Sequence, residues 1–192
     1  YEDSPGSRVY EQLFATMFQS HPIRVPIAGT VESIGHITAK TLELCHDTFY
    51  QPANMMLCVV GDVDPEQVCR IAEQTLTAQH GGLAKRDYGA PEALTVPKHL
   101  VTDTMEVSMP MFALGFKCPA PPRGPETLRA ELLGDLAAEL LAGESSPLYV
   151  RLYEQGLIDS GFSAGYEGLK GACLVSASGD SKDPAAVRDA IL

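Results

Sequence analysis

The spacing of apolar residues along the chain predicts a series of helices. In residues 7–19, SRVYEQLFATMFQ, apolar side chains recur every three to four positions, as on one face of an amphipathic helix. Periodicity combined with proline and glycine boundaries predicts further helices by the same reasoning. They cover residues 38–49, 65–76, 125–141, 147–154 and 184–192.

Short apolar runs between these helices predict strands. MMLCVV, residues 55–60, is a continuous apolar run that favours a buried strand. Residues 104–118, TMEVSMPMFALGFKC, have strand composition, with Pro110 marking an edge or a bulge. Residues 160–167 and 170–178 are predicted to form two further strands.

One short pattern occurs twice. GDVDPEQV at residues 61–68 is echoed by GDSKDPAAV at 179–187, and each opens a helix with Asp-Pro. Two copies of a turn-and-helix unit indicate a duplicated domain, although a good helix start can also recur by chance. Between the copies, residues 79–100 are rich in Gly and Pro without a clean period, which predicts a linker.

Composition and charge narrow the function classes. The 192 residues are 45% hydrophobic and 20% charged, as in ordinary globular proteins. The net charge is −11 and the 14 Lys and Arg residues are scattered, which argues against binding to nucleic acid or to an anionic membrane. No apolar run approaches the ~18 residues needed to span a bilayer.

The five cysteines indicate a reducing environment. Their number is odd and no CxxC pair is present, so we expect thiols in a cytoplasmic compartment. Cys45, Cys58 and Cys69 lie among apolar residues and are predicted to act as small hydrophobes.

The titratable and nucleophilic residues form no recognisable active site. The five histidines show no HxxxH, HExxH or HxxEH spacing. Glu43 with His46 could share one helix face, but two ligands do not make a metal site and a solvated face is the simpler interpretation. Glu32 with His36 is interpreted in the same way, and His80 and His99 are expected to be exposed in the linker. Ser145 and Ser146, in GESSPLY, are better explained by helix capping than by nucleophilic catalysis.

Residues 21–68 nevertheless resemble a known family. In order and spacing they are similar to the pitrilysin/insulinase family of zinc metallopeptidases, which includes the subunits of the mitochondrial processing peptidase. The matching elements are His21-Pro22, Gly29-Thr30, Glu32-Ser33-Ile34, Ile37-Thr38, Phe49-Tyr50, Pro52, Asn54-Met55 and Gly61 to Pro65.

The resemblance implies a fold and a domain arrangement. It predicts an α+β fold in which helices pack on antiparallel-rich sheets, with parts of two homologous domains present. Residues 1–78 would be the C-terminal part of the catalytic-type domain and residues 79–100 the linker. Residues 101–192 would begin the second, non-catalytic domain.

The family's zinc site does not map onto this chain. Its inverted HxxEH motif is expected upstream of Tyr1, and its distant glutamate a few residues before Tyr1. Glu2 is a weak rival for that glutamate. The parent protein is thus expected to be a zinc-dependent metalloendopeptidase acting on peptides or small proteins, with no zinc held by this chain. Two alternatives are a non-catalytic partner subunit that binds substrate and an unrelated α+β binding module.

One functional position carries over from the resemblance. An arginine that approaches bound substrate in the family's second domain aligns with Arg151, whereas the tyrosine seven residues later is replaced by Ile158. Arg151 is therefore predicted to contact a peptide or unfolded polypeptide, the alternative being a surface salt bridge on its helix. A family partner subunit or a homodimer is the expected assembly.

Overall fold

The computed structural model describes residues 3–76, 82–122 and 124–192. In chain order the helices are α1 (Pro5–Met17), α2 (Val31–Gly35), α3 (Ala39–Phe49), α4 (Pro65–Thr75), α5 (Pro125–Ala142), α6 (Pro147–Glu154) and α7 (Pro184–Ile191). The strands are β1 (Met111–Cys118), β2 (Ser163–Leu169) and β3 (Ala172–Asp180), and short 3-10 turns lie at Pro22–Arg24 and Pro52–Asn54. The chain divides into two compact units, Tyr1–Ile27 with Tyr88–Leu192, and Ala28–Asp87.

The first unit is built on a three-stranded antiparallel sheet. The strand order is β1-β3-β2, so β3 is central, and the register places Met111 opposite Asp180 and Cys118 opposite Cys173. Alternate residues of a strand point to opposite faces, and helices cover both faces of this sheet. As a result the central strand is largely buried.

Each face of the sheet has its own hydrophobic core. On one face α1 packs through Met17 and the adjoining Phe18, together with Ala172 and Leu174 of β3. On the other face the core includes Phe112 and Ala177 from the sheet with residues of α6 and α7, and it contains Tyr149, Leu152, Ile158, Phe162 and Val187.

A glycine allows α5 to approach β2 closely. A methyl group at Gly134 would overlap the ring and Cβ of Tyr166 on β2. Gly in a helix interior costs about 0.5–1 kcal/mol relative to Ala, so close packing here offsets the weaker helix propensity.

The second unit has no buried residue among those described. Its helices α2 and α3 are each closed at the N-terminus by a threonine capping box, at Thr30 and Thr38, and α4 is capped by Asp64. Large apolar side chains nevertheless remain exposed, such as Met56 at 92% and Val60 at 93%. Local capping and spacing therefore set the helices of this unit, whose described residues form no hydrophobic core.

The predicted strand at 55–60 is wrong. Its residues form no ladder, because a strand requires a hydrogen-bonded neighbour and the described residues of this unit contain none. Cys45, Cys58 and Cys69, predicted to act as small hydrophobes, are all exposed.

The remaining predicted elements are observed, and all but one agree with the sequence to within a few residues. All six predicted helices form, and the strands at 160–167 and 170–178 are observed as β2 and β3. Within 104–118 only Met111–Cys118 is a strand. Pro110 precedes it and its carbonyl accepts a 2.9 Å hydrogen bond from the N–H of Ser181. The repeated Asp-Pro signal starts a helix in both places, at Asp64 and at Asp183.

Candidate functional site

Helix α6 is positioned by a buried cap. The N–H of Tyr149 donates to Oγ of Ser146 over 3.1 Å, and Ser146 is only 3% exposed. Pro147 occupies the first helical position, where its missing N–H costs nothing. The predicted capping role of this serine is thus confirmed.

Arg151 lies on the outer side of this helix. Tyr149 and Leu152 anchor the opposite side in the hydrophobic core, whereas Arg151 and its neighbours Val150 and Tyr153 are exposed. Within the part of the chain that the structure describes, the Arg151 guanidinium has no ion-pair partner, so the alternative of a surface salt bridge finds no support there. A guanidinium with free N–H groups can bind a carboxylate or carbonyl oxygen through two parallel hydrogen bonds.

Ile158 does not join Arg151 at the surface. Its side chain is 5% exposed and belongs to the core that also holds Leu152 and Phe162. The position that carries a tyrosine in the resembling family is therefore an internal apolar contact in this chain. Of the two positions expected to contact substrate, only Arg151 is exposed in this chain.

The candidate metal ligands are not brought together. His46 stacks on Tyr50 with ring centroids 5.4 Å apart, and its Nδ1 lies 3.3 Å from Asp47 Oδ1. Among residues 3–76, 82–122 and 124–192, no group of three or more His, Cys, Asp or Glu side chains is placed to hold a metal ion. The donor set described here does not fit a zinc site. His80 and Glu2 lie outside the described residues.

His21 has a structural role. It is 7% exposed, and its Nδ1 accepts a hydrogen bond from the N–H of Ile23 over 3.2 Å. With Nδ1 an acceptor, Nε2 carries the proton and donates to the carbonyl of Lys170 over 3.1 Å. This histidine therefore joins the residues after α1 to the turn between β2 and β3.

A buried ion pair joins the segment predicted to be a linker to strand β1. Lys117 Nζ is 2.7 Å from Glu92 Oε1, and the two side chains are only 3% and 4% exposed. The Glu92 carboxylate also accepts hydrogen bonds of 2.8–2.9 Å from the N–H groups of Gln19, Ser20 and His21. The ammonium of Lys117 donates in addition to the carbonyls of Ala93 and Thr95 and lies 4.9 Å from the centre of the Phe18 ring.

This cluster fixes the charge of Glu92. Burial in itself raises the pKa of the carboxyl, but the hydrogen bonds from Lys117 and from three backbone N–H groups outweigh it and lower the pKa to about 2. Sequence reasoning missed the cluster because Glu92 lies in a stretch without periodicity. The one available signal was Lys117, a charge within the apolar strand MFALGFKC.

A groove of about 730 Å³ lies in the first unit, between α1, residues 96–107 and β1. Apolar side chains such as Leu13 and Val101 line this groove. Arg8, which pairs with Asp103 over 2.9 Å, and His99 are also among the lining residues. The lining thus combines apolar and charged side chains, which is a composition that a peptide segment can contact.

Comparisons with known proteins agree on one family. Residues 36–192 match the family model described as the peptidase M16 inactive domain. The chain is 35% identical over 189 residues to the uncharacterized zinc protease YmfH of Bacillus subtilis, covering 96% of this chain and 44% of that protein. A shorter match, 30% over 73 residues, joins 38% of this chain to 16% of the zinc protease PqqE of Helicobacter pylori.

Solved structures give the same result for the fold. An M16-like peptidase from Alicyclobacillus acidocaldarius superposes with a TM-score of 0.86 at 29% identity, over 99% of this chain and 45% of that one. A peptidase M16 inactive domain from Pseudomonas fluorescens superposes with a TM-score of 0.75 at 19% identity, over 98% of this chain and 46% of that one. The α+β fold and the resemblance predicted from residues 21–68 are thereby confirmed. The chain spans less than half the length of each of these relatives.

Proposed function

We propose that the chain is part of a zinc-dependent metalloendopeptidase and that this part does not itself supply the metal ligands. The chain belongs to the peptidase M16 inactive-domain family. The observation that carries the proposal is its 35% identity to a protein named as a zinc protease, over 96% of this chain. Since the chain spans 44% of that relative, the zinc ligands of the parent protein have room elsewhere in the polypeptide.

In this proposal the chain contributes to substrate binding, not to the hydrolytic step. Arg151 is the residue we assign to substrate, since it is held on a capped helix and its guanidinium has no ion-pair partner among the described residues. Its N–H groups would orient a carbonyl or carboxylate oxygen of a bound peptide or unfolded polypeptide. We propose with it that residues 1–78 end the catalytic-type domain, residues 79–100 form the linker and residues 101–192 begin the second domain. The proposed compartment is the cytoplasm.

The first experiment uses the protein encoded by the complete reading frame. Zinc content and chelator-sensitive cleavage of a fluorogenic peptide library are measured together. Zinc bound in stoichiometric amount with cleavage that a chelator abolishes supports the proposal. A protein that cleaves none of the peptides and binds no zinc contradicts it.

Arg151→Ala tests the substrate contact in the same protein. Losing a hydrogen bond to a charged group costs about 1.5–3 kcal/mol, so kcat/KM is expected to fall by about tenfold to a hundredfold, with a smaller loss for Arg151→Lys. Arg129→Ala is the matched control, because Arg129 is also an exposed helical arginine. Equal kcat/KM values for the two alanine variants would contradict the role of Arg151.

The second candidate function is that of a non-catalytic partner subunit that binds substrate for an active one. The groove between α1, residues 96–107 and β1 supports it, since its lining of apolar and charged side chains offers a surface that a peptide could contact. A family partner or a second copy of the protein would complete the assembly. The test mixes the full-length protein with a separately purified active subunit. If the full-length protein is inactive alone and the mixture cleaves peptide, the result favours this function over the first.

A further inference from the structure

Two cysteines face each other across the sheet. Cys118, the last residue of β1, is the register partner of Cys173 on β3. Directly opposed residues of an antiparallel pair project to the same face, with Cα atoms about 4.5–5.5 Å apart. Disulfides span Cα separations of about 4.4–6.8 Å, so the backbone already meets the requirement for a bond between these two residues.

The Cys173 thiol is directed toward the end of β1, whereas the Cys118 thiol lies along its own strand, 3.7 Å from the carbonyl oxygen of Phe116, so a bond between them needs rotation of the Cys118 side chain. Cys173 Sγ lies 3.2 Å from the carbonyl oxygen of Cys118 and 3.1 Å from that of Pro119. Cys173 is 1% exposed, whereas Cys118 is partly exposed. Because Cys118 is the more exposed of the two, an oxidant from solution would reach it first, and Cys173 would act as the resolving thiol. Burial and the neighbouring Cys173 raise the pKa of the Cys118 thiol, which lowers its thiolate fraction and slows this first step.

The structure assigns Cys118 and Cys173 as a reversible oxidation site that takes a low-molecular-weight disulfide as its co-substrate. In the first step the Cys118 thiolate attacks one sulfur of the disulfide, forming a mixed disulfide and releasing one thiolate. In the second step the Cys173 thiolate attacks Cys118 Sγ and releases the second thiolate. Two protein thiols are oxidised to one disulfide, and the small disulfide is reduced to two thiols.

The bond would join β1 covalently to the central strand. It would close a long loop between residues 118 and 173, which contains α5, α6 and β2. Cross-linking residues far apart in sequence restricts the unfolded chain, so the oxidised form should unfold at higher urea concentration than the reduced form.

The test uses the 192-residue chain with Cys45, Cys58 and Cys69 replaced by serine. These three cysteines are exposed and would otherwise react with the oxidant themselves. The protein is treated with glutathione disulfide, quenched with iodoacetamide and digested with trypsin. The expected product is a cross-link between the tryptic peptides 118–123 and 171–182, with no glutathione attached and with reversal by dithiothreitol.

The same reaction in the urea-unfolded chain provides the reference rate. If the sheet pre-positions the thiols, the cross-link forms at least tenfold faster in the native protein, and the urea midpoint rises on oxidation. Native protein that keeps both thiols, or carries glutathione on each cysteine separately, overturns the proposal. So does a native rate equal to or below the unfolded one. Cys118→Ser in this background must abolish the cross-link, and its circular dichroism spectrum checks that it still folds.

Discussion

Replacing Glu92 by glutamine is expected to destabilise the first unit and to remove a large part of its sensitivity to acid. Glu92→Gln keeps the size of the side chain but removes the charge that Lys117 faces over 2.7 Å. Its amide nitrogen would also be a donor facing backbone N–H groups at 2.8–2.9 Å. Breaking a buried pair by removing one partner typically costs about 3–5 kcal/mol.

The pH dependence gives the more specific test. The pKa of Glu92 is about 2 in the folded protein, against a reference value of 4.5. A lowered pKa stabilises the fold above the reference value, and this contribution is lost as the pH falls from about 4.5 toward 2. A shift of this size corresponds to at most about 3 kcal/mol, and screening by solvent reduces our expectation to about 2 kcal/mol.

Urea unfolding of the wild type and Glu92→Gln at several pH values between 7 and 2 measures both effects. The variant is expected to be about 3 kcal/mol less stable near neutral pH, with the difference shrinking by about 2 kcal/mol on acidification. Glu106→Gln, at an exposed position, is the control and should change stability by less than about 0.5 kcal/mol. Parallel stability curves for wild type and Glu92→Gln would refute the reasoning.

Two further substitutions test the packing of the helices. Gly134→Ala should destabilise the first unit by about 1–3 kcal/mol, since the new methyl group overlaps Tyr166. The control is Gly35→Ala, whose methyl group meets no atom within 4 Å and which should be nearly neutral. Thermal unfolding measures both. Ser146→Ala should lower stability by about 1 kcal/mol by leaving the N–H of Tyr149 without its acceptor. Ser146→Thr, which keeps an acceptor, should recover part of that loss, and no difference between these two variants would argue against the capping role.

The helices could be predicted from sequence because their signals are local. Ser146-Pro147 and Asp183-Pro184 each provide a cap and a proline at the first helical position, and both helices begin there. Strand formation depends on a neighbour that sequence does not reveal. Residues 111–118 pair with β3, whereas 55–60, with an equally apolar pattern, have no partner among the described residues of their unit.

The candidate functional residues divide in the same way into local and non-local signals. Arg151 could be proposed from resemblance to a family because it lies in one continuous stretch, LYVRLYEQGLI, that can be aligned without knowing the fold. The Glu92–Lys117 pair and the Cys118–Cys173 pair each join residues far apart along the chain, and no local spacing connects them. Only the fold brings these side chains together, so their chemistry could not be predicted from the sequence.

None of the described residues between Ala28 and Asp87 is buried, and this has a calorimetric consequence. The heat-capacity change of unfolding reflects newly hydrated apolar surface, at about 12–15 cal/mol/K per residue of a packed domain. If only the first unit, about 130 residues, contributes fully, the chain should give about 1.6–2.0 kcal/mol/K, against about 2.3–2.9 for 192 packed residues. The free energy of unfolding would accordingly vary less with temperature than expected for a packed chain of this length.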